Sequence, residues 1–320
     1  MPARGLRSNT GLMAHTNELE SLEQSVGVLA LDDRAIISVA GDDARDWLQG
    51  QITNQLEHAQ PGSSVYGFVL TLKGRIFSDV YVLVREGELW LDVPAAQVDA
   101  LLERLDRYII MEDVDLEHRK DLHVIVAQGP RSNELRGDGW PVDRLGLGGR
   151  EWVVAGAELD SELTRLIARA RELGGGAVSG EAWAQAHVLR GRPRFGVDFG
   201  DWTYPQESGL NPLAVSFNKG CYVGQETVVM LENRGKAPKV LWRWAIKGPV
   251  APVAKTPITV NDSVVGEVTS AAVAETGVRA LGFLKRGRES EGPESFMIAG
   301  RPARALGPVE TGPGVCQAQR

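Results

Sequence analysis

Apolar and polar positions alternate in short runs over the first third of the chain. Val26 to Leu31 reads as a strand, Asp32-Asp33 as a turn, and Ala35 to Val39 as a second strand. Gly41-Asp42-Asp43 offers an N-cap to a helix running through Trp47 and Leu48 to Gly50. Val65 to Leu72 and Ile76 to Val84 flank Lys73-Gly74-Arg75, a hairpin signal, and Leu89, Leu91 and Val93 alternate as in a half-buried strand. Val98, Leu101, Leu102, Leu105 and Tyr108 fall at helical spacing and predict one buried face. Strands follow around Val114 to Glu117 and Leu122 to Ala127. Gly129-Pro130 breaks the pattern, and residues 131–150, rich in Gly, Arg and Asp, read as irregular connection. Trp152 to Ala155 is a strand. Leu159, Leu163, Leu166, Ile167 and Ala170 mark a helix ending in Gly174-Gly175-Gly176, and Glu181 to Leu189 another. From Pro238 to Leu306, short β-branched runs punctuated by Gly, Pro and Asn-Asp predict a separate small β-barrel. Hairpins with helices alongside give an α+β class of mixed or antiparallel sheets.

Composition narrows the function. The 320 residues are 43% hydrophobic and 24% charged, ordinary for a globular protein with a sizeable core. A net charge of −7 supplies no global field for nucleic acid. The two cysteines, Cys221 and Cys316, are far apart, which fits a reducing compartment, cytoplasmic in location. No apolar run approaches the ~18–20 residues that span a bilayer, and no membrane partner is expected. CxxC and HExxH patterns are absent, so no metal of its own is expected. P-loop and Rossmann glycine fingerprints are also absent.

Chemistry concentrates in Asn218-Lys219-Gly220-Cys221-Tyr222-Val223-Gly224-Gln225-Glu226-Thr227. Gly224 to Asn233 reads as a short helix stopped by Gly235, which places Cys221 at or just before its N-terminus. The helix dipole and the Lys219 ammonium would both lower the thiol pKa. Against this stands a small buried cysteine in a glycine turn. Arg190-Gly191-Arg192-Pro193-Arg194 forms a basic knot: either a solvated loop or, with Lys219, Arg234 and Lys236, a site for a polyanion.

The string KGCYVGQE resembles the signature of the YgfZ-type folate-binding proteins, relatives of the glycine cleavage T-proteins (aminomethyltransferases), which carry Lys-Gly-Asp where this chain has Lys219-Gly220-Cys221. Pro205-Gln206-Glu207, Thr53-Asn54 and Gly266-Glu267-Val268-Thr269-Ser270 agree, so the likeness runs from about Gly27 to about Leu306. The resemblance implies a T-protein-like fold, with 21–236 an interwoven folate-binding body and 237–308 a C-terminal β-barrel; residues 1–20 and 309–320, outside it, read as a disordered start and tail. Tetrahydrofolate or a derivative is the implied cofactor. Tyr66, Asp79, Arg194, Gln225 and Glu226 would bind it, and Cys221, Lys219 and Asp79 would be the catalytic set. His187 stands where the relatives carry Arg, and Leu189 where they carry a Glu that resembles a pterin clamp. Leu29 to Arg34 replaces an Asp-x-Ser-His segment. The implied function is a folate-dependent accessory to maturation or repair of iron–sulfur enzymes, tRNA-modifying ones included, with those enzymes as partners. A folate-dependent one-carbon transferase using Asp79 and a non-catalytic binding scaffold are the alternatives.

Overall fold

In a computed structural model, residues 9–135, 137–235 and 237–310 are described, the first eight of them by backbone alone. Cys316, Lys236 and most of the expected tail lie outside the described residues. The chain enters through helix α1 (Asn9–Gln24), where no order was expected before about residue 20. Leu22 is buried and Leu19 packs beside it on the body core. This apolar spacing starts too late in a polar stretch to read as an element.

Strands β1 (Gly27–Leu31) and β2 (Arg34–Ala40) are joined by the expected Asp32-Asp33 turn, yet they enter different sheets. Helix α2 (Ala44–Gln51) buries Trp47 and Leu48. Strands β3 (Ser64–Leu70) and β4 (Ile76–Val84) form the predicted hairpin, and β5 (Glu88–Pro94) follows. Helix α3 (Val98–Asp106) buries Val98, Leu101 and Leu105 on one face, as its period demands. Strand β6 (Asp115–His118) completes an antiparallel five-stranded sheet in the order β3-β4-β5-β2-β6.

The chain then returns to the sheet it left. Strands β7 (Leu122–Gln128), β8 (Trp140–Pro141) and β9 (Gly149–Ala155), helix α4 (Leu159–Glu172) and strand β10 (Gly176–Ala177) follow. They build the second sheet, β10-β1-β7-β9-β8, in which β1 and β10 are parallel and the other pairs antiparallel. Residues 131–150 are thus not irregular throughout. They hold β8 and the start of β9, and Leu135, Val142 and Leu145 are buried. Closely spaced glycine turns break the hydrophobic period there, so the sequence carries no strand signal. The two sheets meet on a shared core, with Ile36, Leu83 and Trp90 from one against Leu29, Val124 and Val126 from the other.

Helices α5 (Gly180–Arg190), α6 (Pro205–Ser208), α7 (Asn211–Ala214) and α8 (Gln225–Arg234) finish the body. Six antiparallel strands then close a barrel around Trp244, Ile258 and Phe296: β11 (Lys239–Ile246), β12 (Pro257–Val260), β13 (Ser263–Val273), β14 (Val278–Lys285), β15 (Phe296–Ile298) and β16 (Arg301–Pro308). Their order is β11-β14-β13-β12-β15-β16, with β16 pairing back on β11. The fold is therefore the expected α+β body with a C-terminal barrel. Among the described residues no helix is long and apolar enough to cross a membrane.

Candidate functional site

A cavity of about 790 Å³ opens between the two sheets and the loop after α5. Its wall brings together Tyr66 on β3, Asp79 on β4 and Arg194 on the loop, all three singled out from the sequence. Tyr66 and Tyr81 place their rings 4.5 Å apart, a flat aromatic surface. The Tyr66 hydroxyl reaches towards Asp79 Oδ2 at a long 3.4 Å. Burial, with the Asp79 charge, pushes the Tyr66 phenol well above its usual range, so it stays a neutral donor.

The buried charges in and behind this wall come from four separate stretches of sequence, and Arg34 and Arg144 themselves line the cavity. Arg34 Nη1 donates to Asp79 Oδ1 at 2.9 Å, and Arg34 Nε donates to Asp92 Oδ1 at 2.6 Å. Arg144 donates to Asp92 and, at 2.6 Å, to Glu151 Oε2, while its guanidinium lies 4.3 Å from the centre of the Tyr81 ring. Burial alone would neutralise these ions, but they are held against one another. Burial opposes the Arg34 cation, yet Asp79 and Asp92 outweigh it. Burial likewise opposes the Asp92 anion, and Arg34 and Arg144 overcome it. Glu151 loses that contest: burial and the Asp92 charge push its carboxyl up. Its Oε1 has no hydrogen-bond partner, which suits a proton carried there. With Glu151 neutral, two arginines balance two aspartates. Arg34 opens β2 and Arg144 lies in a glycine-rich link, and only the fold brings them together.

His187 on α5 lines the cavity against Trp183, with ring centroids 4.6 Å apart. Its Nδ1 lies 2.9 Å from the Arg192 carbonyl, so Nδ1 carries the hydrogen. Burial pushes its pKa down to about 3, and the ring is neutral. Arg192 and Arg194 also line the cavity, and neither guanidinium has a hydrogen bond or ion pair among the described residues. Asp32, Asp33 and Asp143 line it too; Asp143 is tied to the Gly146 and Leu147 amides at 2.6 and 3.1 Å. Arg190 and Leu189 are not in the wall.

The KGCYVGQE segment lies outside the cavity. Helix α8 forms as expected, from Gly224 at its N-cap to Gly235, which stops it in the left-handed region. Gly224, at φ +84°, sits against the β3–β4 turn, where a Cβ would come within 2.5 Å of the Thr71 carbonyl oxygen. Gln225 and Glu226 begin α8 and do not reach the cavity wall. Their expected contact with a cofactor therefore has no geometric basis, because the turn docks α8 on the outside of the hairpin. Cys221 is exposed, which excludes the buried-cysteine reading. Lys219 does not face it. The ammonium turns inward and donates to the carbonyls of Gln49, of Ile52 at 2.7 Å and of Asn54 at 3.0 Å. Three desolvated carbonyls hold the cation better than an exposed thiol would. Burial nonetheless pushes the Lys219 pKa down to about 8. Its link to the cavity is indirect, since Asn54 and Gln55 line the wall. Gln206 of the Pro205-Gln206-Glu207 string donates to the Val228 carbonyl at 2.8 Å, joining α6 to α8.

Among the described residues no group of three or more His, Cys, Asp or Glu side chains is placed to hold a metal ion.

Comparison with known proteins agrees with this architecture. Residues 9–137 match the GCVT N-terminal domain. The chain is 25% identical over 234 residues to the tRNA-modifying protein YgfZ of Klebsiella pneumoniae, covering 67% of this chain and 70% of that one. It is 29% identical over 254 residues to the mitochondrial iron–sulfur cluster assembly factor IBA57 homolog of Chaetomium globosum, covering 67% and 54%. The structure of glycine cleavage system aminomethyltransferase T from Bartonella henselae superposes with a TM-score of 0.80 at 18% identity, over 95% of this chain and 90% of that one, and shows the same fold. The chain thus carries a GCVT N-terminal domain in its body and is similar, across about two thirds of its length, to YgfZ and IBA57 proteins, on a fold shared with an aminomethyltransferase.

Proposed function

We propose that the chain is a folate-dependent accessory protein that supports the maturation or repair of iron–sulfur enzymes, tRNA-modifying enzymes among them, in the cytoplasm. The observation that carries this reading is the one wall that unites Tyr66, Asp79 and two unpaired arginines on an aminomethyltransferase-like fold. A reduced folate fits the residues present. The cavity volume lies within the ~300–1,000 Å³ common for small-molecule sites. Tyr66 and Tyr81 offer a flat face to a pterin ring. Asp79 offers a carboxylate to its N–H groups, a need that Leu189 leaves to the cavity wall. Arg192 and Arg194 suit the glutamate carboxylates. When bound, the folate supplies a carrier for one-carbon units.

What the chain itself does is bind and orient. Both Asp79 oxygens have partners, Arg34 at 2.9 Å and Tyr66 at 3.4 Å, which hold the carboxylate in place. This favours binding over acid–base catalysis, and the accessory role over a one-carbon transferase. Cys221, exposed on the outer face, is the thiol we assign to contact with client enzymes. Calorimetry with tetrahydrofolate tests the reading. Wild type should bind, and Asp79→Asn should weaken binding roughly tenfold or more through loss of a charge-assisted hydrogen bond. No heat at millimolar ligand would favour the scaffold alternative. Cys221→Ser should keep folate affinity and lose rescue of iron–sulfur enzyme activity in a deletion strain.

A further inference from the structure

The loop between α5 and α6 presents Arg192 and Arg194 to the cavity, and the same loop is fastened to the barrel. Asp198 is the joint, 1% exposed. One carboxylate oxygen accepts the Arg194 backbone N–H at 3.0 Å. The other accepts the Thr269 hydroxyl at 2.5 Å and the Ser270 hydroxyl at 2.6 Å, both from β13. Burial pushes the Asp198 carboxyl up, while these donors and the Arg194 charge pull it back. Two further contacts fix the same region. Gln185 on α5 donates to the Val273 carbonyl at 2.7 Å. The Arg243 side chain from β11 lies over Gly191, at φ +66°, where a Cβ would come within 2.7 Å of Arg243 Cδ.

A buried carboxylate whose partners come from two sides fixes those partners relative to one another, because any displacement leaves a desolvated charge unpaired. The geometry points to Thr269 and Ser270 as positioning residues for the cavity. Acting through Asp198, the barrel sets where Arg194 stands, and with it the affinity for an anionic group on the ligand. The barrel is thus coupled to the site and is not a bystander. This rests on the proposed reading of the cavity as a folate site whose arginines meet carboxylates.

The test compares wild type with Thr269→Val/Ser270→Ala in the full chain. Hydrogen exchange should quicken at the Arg194 amide and its neighbours, while β11 and β14 keep their protection. Affinity for tetrahydrofolate should fall about tenfold, within the range usual for coupled sites. Affinity for tetrahydropterin, which lacks the benzoylglutamate arm, should hold. Thr269→Ser, which keeps the hydroxyl, should behave as wild type. Unchanged exchange at Arg194, or equal losses for both ligands, overturns the proposal. Should the double variant unfold the barrel, Thr269→Val and Ser270→Ala taken singly leave one hydroxyl on Asp198 and permit the same comparison. If wild type binds neither ligand, the folate reading fails, and the exchange data decide the joint on their own.

Discussion

Lys219 and Cys221 stand two residues apart and face opposite environments: the ammonium is buried under three main-chain carbonyls, and the thiol is exposed. Cys221 should therefore be alkylated by iodoacetamide in the folded protein, without denaturant. Lys219→Met should cost about 1–3 kcal/mol, since three carbonyls lose their donor, and should leave the labelling rate of the folded fraction largely unchanged. Urea unfolding and mass spectrometry of the labelled peptide check both outcomes. Markedly slower labelling of folded Lys219→Met would restore the ammonium as the thiol's electrostatic partner.

His187 gives the fold an acid-sensitive limb. Its folded pKa of about 3 lies below the ordinary 6.5, so the unfolded chain binds the extra proton between those values. Stability from this residue is fully present above pH ~6.5 and is lost as pH falls towards ~3, roughly 4–5 kcal/mol over the whole window. His187→Gln keeps a donor for the Arg192 carbonyl and has no proton to gain. Its stability, followed by denaturant unfolding, should fall less steeply than wild type over that window. Parallel curves would show that the ring is not buried neutral.

Arg144, in the cavity wall, bridges Asp92 and Glu151. Arg144→Met should destabilise by about 3–5 kcal/mol, the usual cost of stranding a buried partner. Adding Glu151→Leu should recover part of that loss, because the Glu151 carboxyl then no longer needs a donor. A double-mutant cycle in urea measures the coupling. Additive losses would mean that Arg144 and Glu151 are not coupled in the folded protein.

Gly224 is constrained twice, by its positive φ and by the Thr71 carbonyl. Gly224→Ala should cost at least ~1–3 kcal/mol in strain and displacement, and should free α8 from the hairpin. Thermal unfolding, with hydrogen exchange across the first turn of α8, reports it. A melting point equal to wild type would show that the turn relaxes at no cost.

Local patterns made much of the fold legible. Lys73-Gly74-Arg75 marked its hairpin, Gly235 stopped α8, and the apolar face of α3 followed from spacing alone. Tyr66 and Asp79 entered through the family resemblance and proved to share a cavity wall. Arg34, Asp92, Arg144 and Glu151 stayed hidden because they come from four separate stretches and meet only between two sheets. No window of sequence contains a charge network of that kind. The direction of Lys219 is hidden for a related reason: the carbonyls that hold its ammonium come from the end of α2 and the link beyond it, not from its neighbours along the chain.

The crossing of the chain between sheets governs how a nascent polypeptide can assemble the body. The sheet built from β2 to β6 is complete once β6 has been synthesised, while β1 waits as an unpaired edge for β7 and, later, β10. Contacts of such long sequence separation are slow to form and leave strand edges open in the meantime. The region matching the family domain, 9–137, ends before β9 and β10, so synthesised alone it would carry one finished sheet and a fragment of the other. Leu29, Val124 and Val126 would still cover part of Ile36, Leu83 and Trp90, but the face that Val142, Leu145, Trp183 and Ala186 complete would stay open, a surface that invites aggregation or chaperone capture. The cavity is accordingly a late product of folding, its wall complete only when the loop carrying Arg192 and Arg194 is in place.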